Sequence, residues 1–352
     1  MWTRRLVGAV AVALGLSSIA SGTAGADPAE PTNYRSNIVS IVPAITQADV
    51  EVIGGDTFLS LTVDRGHEAI VPDYGSAERP YLRFSGDGTV EVNVLSVAHA
   101  TNDSRYGTTT DEFDPDADPL WREVSSDGSY AWHDHRIHLM VPDRLAVVDA
   151  NGRVDLGGPD GTWEVPMVLD GKTHTVRGEL IRLPAPSPSP WYAVAGALGV
   201  AIAWTGRRTR WRIPIVIAAV TAGALFVSLT QYQASPDAAG ASPIPVYLTA
   251  LALVCALTTL AISMVRGDDR NRARSSTVAT TASAGAAAVL LWWAVSRLDV
   301  FNHALLPSDI PVIDRLVTAT SLGVALAVSA GLVMPRSWSR PRFVRERAQL
   351  NR

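Results

Sequence analysis

The feature that most constrains this chain is a run of five apolar segments in its second half, at about 191–205, 213–231, 244–265, 277–296 and 316–334. An α-helix rises roughly 1.5 Å per residue, so about 20 apolar residues cross the roughly 30 Å of hydrocarbon in a bilayer. Four segments reach that length and the first is short. Inside lipid each backbone amide must find its partner within its own segment, which leaves the helix as the form available to such runs. The sequence therefore predicts an α-helical bundle of five transmembrane helices over residues 188–335. The stretch Ala185-Pro-Ser-Pro-Ser-Pro190 separates it from what precedes, because alternating proline gives an extended spacer that joins neither helix nor sheet.

Arginine placement orients the bundle. Arg207, Arg208, Arg210 and Arg212 crowd one inter-segment stretch, Arg266, Arg270, Arg272 and Arg274 another, and the tail 336–352 carries six more. The alternate stretches are nearly free of them: Gln231–Pro243 has no Arg or Lys, and Arg297–Arg315 only its end residues. Basic loops stay in the cytoplasm, which predicts a basic cytoplasmic tail and the N-terminal part outside. The N-terminus gives the same answer independently. Arg4 and Arg5, the apolar stretch Leu6–Ala20 and the small residues of Ala24-Gly25-Ala26 read as a signal peptide over 1–26, with a mature chain from Asp27. The expectation is a multi-pass plasma-membrane protein. Within the bounds given, the apolar cores hold no Asp, Glu, Lys, Arg or His, with Asp314-Arg315 at the edge of the last. Intramembrane charges mark ion and proton pathways, so this pattern argues for an anchor rather than transport by this chain alone.

Residues 27–187 form the exported part, and their pattern has period two. Leu59, Leu61 and Val63 share one face, and Val90, Val92 and Val94 alternate with Glu91 and Asn93, the mark of half-buried strands. Asp87-Gly88, Asn151-Gly152 and Asp170-Gly171 sit beside strand-like runs, and such pairs favour tight hairpins because both central residues take positive φ. Thr101–Pro119 reads as a long polar loop. The expectation is an all-β domain, an antiparallel sandwich or small barrel. The one cysteine, Cys255, lies in an apolar segment, so the domain is built without disulfides or thiolate metal sites. A net charge of −4 gives no basis for nucleic-acid binding.

Three of the seven histidines fall in Trp132-His133-Asp134-His135-Arg136-Ile137-His138. Neutral imidazole is a good ligand for copper and zinc. In a strand His133 and His135 share a face and His138 takes the other, so His138 joins them only if a bulge or turn intervenes near Asp134–Ile137. Met140 is a further soft donor that suits Cu(I). Asp134 or Glu123 is a candidate oxygen ligand or orienter of an imidazole, and His67 and His99 are possible partners from elsewhere. The competing reading is structural, with the histidines bonded inside a buried turn and Trp132 in the core. A second site is conceivable in the outer stretch Arg297–Arg315 around His303 and its aspartates. Asp111–Asp118 resembles a calcium loop, but Pro119 and Ser125 stand where an EF-hand needs Gly and Glu.

Known catalytic signatures fit poorly. Ile137 occupies the acid position of a metallo-β-lactamase pattern, Leu139 and Met140 that of a cupin, and HExxH, GxSxG, P-loop and GxGxxG sites in suitable context are not found. An enzyme is not indicated. Glu78–Phe84, Asp87-Gly88, Asn102–Tyr106, Trp121-Arg122 and above all Trp132–His138 resemble a family of uncharacterised actinobacterial membrane proteins, which pair an exported β-rich domain with a helical membrane region. The family has Trp before the Met where Leu139 stands here. The resemblance implies architecture and no activity. The expected function is an extracytoplasmic domain that binds copper or zinc, working with the bilayer and another exported or membrane protein; the alternative is a membrane-anchored interaction module with structural histidines.

Overall fold

The structure, a computed structural model, describes residues 29–102, 117–141, 145–205, 213–236, 241–264 and 269–333. The expected signal peptide 1–26, the arginines of 206–212, the basic tail and most of the acidic loop 111–118 lie outside these residues.

The N-terminal part is antiparallel β, as expected. Its strands are β1 (Tyr34–Val42), β2 (Ala48–Ile53), β3 (Phe58–Val63), β4 (Ala69–Asp73), β5 (Ser76–Phe84), β6 (Val90–Asn93), β7 (Trp121–Ser125), β8 (Ser129–His133), β9 (Arg153–Val154), β10 (Trp163–Leu169) and β11 (Lys172–Arg182). The larger sheet runs β1-β11-β10-β4-β5-β6-β7, with β9 added to β11, and the smaller runs β2-β3-β8. Both face one core. Leu59, Leu61, Val63 and Trp132 of the small sheet pack with Leu82, Phe84, Val165 and Met167 of the large one. Burial of such side chains, at roughly 1.5–3 kcal/mol each, is what holds two sheets together without disulfides.

Two hairpins predicted from sequence form, one with both central residues at positive φ as read, the other with Gly88 at 97° and Asp87 outside that region. Asp170 and Gly171 both take positive φ, 48° and 77°, and turn β10 into β11 with Leu169 opposite Lys172. Asp87-Gly88 closes β5 onto β6, where Ser85 N–H donates to the Thr89 carbonyl. A short helix, α1 (Val97–Thr101), leads into the expected polar loop and ends at its first residue. Ser96 caps it, and the Asp73 carboxylate accepts from the Val97 and Ala98 N–H groups.

The second half is helical: α2 (Ser189–Thr205), α3 (Ile213–Ala234), α4 (Ile244–Met264), α5 (Asp269–Val295) and α6 (Pro311–Val333). Among the described residues, helices α3 to α6 hold spans long and apolar enough to cross a membrane, four rather than the five expected. The first segment does form a helix, but its 17 residues reach only about 25 Å. Helix α2 packs along α6, α3 along α4, and α5 along both α4 and α6. Small residues allow the closest approach: a Cβ on Gly323 would stand 2.4 Å from the Ala195 carbonyl oxygen.

One expectation about the bundle is corrected. Helix α6 begins at Pro311, so Asp314 lies in its first turn, fully buried. Arg297 reaches it with Nη2 at 2.7 and 2.8 Å from the carboxylate oxygens, and Gln231 donates to the same carboxylate at 3.1 Å. An ion pair therefore sits inside the bundle at the end where α3 finishes and α6 starts. At this end the β domain meets the helices. Thr32 and Leu305 exchange both backbone hydrogen bonds, at 3.0 and 2.9 Å, and Asn33 bonds to Asn302 and Ala304.

Candidate metal centre

Strand β8 stops at His133, whose backbone pairs with Phe58 of β3. The chain then turns, and the Ile137 N–H donates to the Asp134 carbonyl at 3.2 Å. This turn is the condition that the sequence set for His138 to join its neighbours. The ligating nitrogens of His133, His135 and His138 all lie within 4.8 Å of one another. His133 Nε2 and His138 Nε2 are 3.0 Å apart. Both rings are buried, 1% exposed, and His135 is intermediate.

Asp134 does not join this group. Its carboxylate accepts the forked Arg136 guanidinium, through Nε at 2.9 Å and Nη2 at 2.6 Å, and the Trp132 indole N–H at 2.8 Å. Burial alone would raise its pKa, but the Arg136 charge and these hydrogen bonds prevail and hold it down at about 2. The arrangement fixes the turn: one buried anion collects Trp132 before it and Arg136 after it. The expectation of an oxygen ligand at Asp134 is therefore corrected to a positioning role. Met140 is 38% exposed, next to the buried Leu139, and the imidazoles come together without it.

A residue that sequence spacing gave no means of finding completes the frame. The Tyr74 hydroxyl accepts the His135 backbone N–H at 2.8 Å and donates to Asn102 at 2.7 Å. Its ring stacks on that of His135, with centroids 6.0 Å apart, and carries the Arg136 guanidinium 5.0 Å from its centre. Burial, then the nearby Asp134 charge, pushes the Tyr74 phenol well above its ordinary value, so it stays protonated. His135 and Arg136 line an open cleft of about 530 Å³ with Asp73, Tyr74 and Pro166, so the cluster has a route to solvent.

The other candidates lie elsewhere. His67 Nδ1 meets the Asp170 carboxylate at 2.7 Å. His99 sits in α1 and Glu123 in β7. His303 Nδ1 is 2.8 Å from the Asp299 carbonyl, and among the described residues the stretch Arg297–Arg315 forms no ligand group.

No protein-family model, curated protein or solved structure matches this chain.

The donor set alone therefore defines the chemistry. A metal at about 2.1 Å from each imidazole keeps the nitrogens roughly 3.4 Å apart in a tetrahedral shell. The 3.0 Å between His133 and His138 needs a small opening, and the set, within 4.8 Å, must draw in around the ion. A proton on His138 Nδ1 finds the Leu139 carbonyl at 3.3 Å, which leaves the Nε2 lone pair for the ion, the usual arrangement of a ligating histidine.

Proposed function

We propose that this is a plasma-membrane protein whose exported β domain, read as a sandwich, binds one copper or zinc ion through His133, His135 and His138. Met140 is available as a further soft donor, and the protein acts as a sensor or metal carrier for another membrane component rather than as an enzyme. Membership of the actinobacterial family resembled by the Trp132–His138 motif belongs to the same reading. The observation that carries it is three imidazole nitrogens within 4.8 Å of one another beside an open cleft. The orientation puts the β domain outside and the arginine-rich stretches in the cytoplasm, with the short α2 carrying the chain inward beside the four longer helices. The Thr32–Leu305 pairing supports it, because it sets the β domain on the arginine-poor face.

Titration of the detergent-purified chain, stripped with chelator, with Zn(II) and Cu(II) tests this. The expected result is one ion per chain, with binding lost in His133→Ala/His135→Ala. Affinity should fall from about pH 7.5 to 5.5, because an ordinary imidazole protonates near pH 6.5 and then cannot ligate. Binding no tighter than millimolar for either ion overturns the proposal.

A second reading has its own support. His133 packs edge-on against Phe58 with centroids 5.8 Å apart, and the Nε2 contact to His138 works as an N–H···N bond without any ion. On that reading the domain is an interaction module, and the double variant lowers the melting temperature equally with and without metal.

A further inference from the structure

The β domain carries an apolar edge that its own core does not use. Leu145 and Val147 are 61% and 70% exposed, while the alternating Ala146 and Val148 pack on a small cluster with Leu139 and Val154. The position of this edge is fixed at three points. Val148 shares a cleft with Asn33, Leu183, Pro184 and Ala185. Asn33 is bonded to Asn302 and Ala304 of the turn between α5 and α6. The stretch Leu183–Pro188 then runs straight into α2, and six residues span at most about 20 Å. The edge therefore lies close to the level at which the helices enter the bilayer.

Aromatic residues mark that level independently. Tyr192 opens α2, Tyr232 ends α3 and Tyr247 opens α4, and they are 44%, 45% and 68% exposed. Exposed tyrosines at one end of a helical bundle sit at the headgroup boundary.

We propose that Leu145 and Val147 rest in the outer-leaflet interface, so that the β domain touches lipid as well as the α5–α6 turn. Scattered apolar residues on a soluble face need no explanation, but these two alternate outward at the membrane-facing end, where lipid is the nearest apolar phase. The inference is independent of metal binding, but it rests on the reading that the helices cross a bilayer.

The test uses the full chain in nanodiscs, in a Cys255→Ser background, with single cysteines carrying an environment-sensitive fluorophore. Val147→Cys and Leu145→Cys report the edge. Val254→Cys, 60% exposed on α4, reports the bundle. Ser126→Cys is the distal control: Gly55 abuts Leu305, and β3 runs from Phe58 to Val63, which bonds to Gly128 in the β7–β8 turn. Lipid spin-labelled near the headgroup should quench positions 145 and 147 about threefold or more above position 126, as for a surface residue seated in the interface. Quenching at 254 by lipid spin-labelled near the end of its acyl chain, with 145 and 147 no different from 126 under the headgroup label, overturns the inference alone. No quenching at 254 by the deep label overturns the membrane reading beneath it. Positions 145 and 147 shielded from aqueous iodide but not reached by the lipid quencher would mean a protein partner covers the edge, which also overturns it.

Discussion

Asp134 decides the local shape of the site, and its removal is informative because it is not a ligand. Asp134→Asn leaves the Arg136 guanidinium beside Tyr74 without its anion. Breaking a buried pair from one side costs about 3–5 kcal/mol, so the full chain should melt several degrees lower in a thermal scan. The pH response has a definite sign. The folded pKa, about 2, lies below the ordinary value near 4, so the pair's contribution is complete above about pH 4 and is lost as pH falls towards 2. Acid unfolding of the wild type should therefore flatten in Asp134→Asn over that range. Asp314 gives the corresponding case in the bundle. Asp314→Ala strands Arg297, 13% exposed at its side chain, and should lower detergent stability more than Asp314→Ala/Arg297→Ala together, read by thermal unfolding of purified protein. Equal losses would mean that stranding Arg297 in the bundle costs nothing. Sequence alone identified the histidines but placed Asp134 among the ligands, because adjacency cannot distinguish a carboxylate that faces an ion from one that faces Arg136 and Trp132.

At the level of the element, packing between α2 and α6 depends on a missing side chain. Gly323→Leu puts a branched side chain where a Cβ would already stand 2.4 Å from the Ala195 carbonyl oxygen. Overpacking of this kind costs about 1–3 kcal/mol, and the variant should lose heat stability in detergent while its β domain keeps its circular dichroism. Gly331→Leu, with open space around it, should be silent. The periods that the sequence displays are those set by local geometry. The alternation along β3 and β6, the Asp170-Gly171 turn and the helical spans could be read because each depends on neighbours within a few residues. The placing of β4 beside β10 could not, because strand order is settled by long-range burial. Nor could α1, five residues held by Ser96 and by Asp73 from a different strand. Asp314 was read as the edge of a span because its partner Arg297 lies 17 positions earlier, beyond the reach of any helical period.

For the whole molecule the decisive test is topology. Reporter fusions after Arg210 and Arg270 should behave as cytoplasmic, and fusions at Pro236 and Pro307 as exported. A fusion at Arg210 that reads as exported would show that α2 does not carry the chain across. The bond between Asn33 and Asn302 joins residues 269 positions apart, and this has a consequence for biogenesis. Chains are made at roughly 5–20 residues per second, so roughly a quarter of a minute to a minute separates the synthesis of the two partners. On the proposed orientation the β domain is outside with its strands complete through Arg182 for the last 120 residues of that interval, roughly 6–24 s, while the turn that receives it has not been translated. Newly made protein thus passes through an undocked stage whose length is set by the ribosome, and the last helical hairpin to arrive ends it.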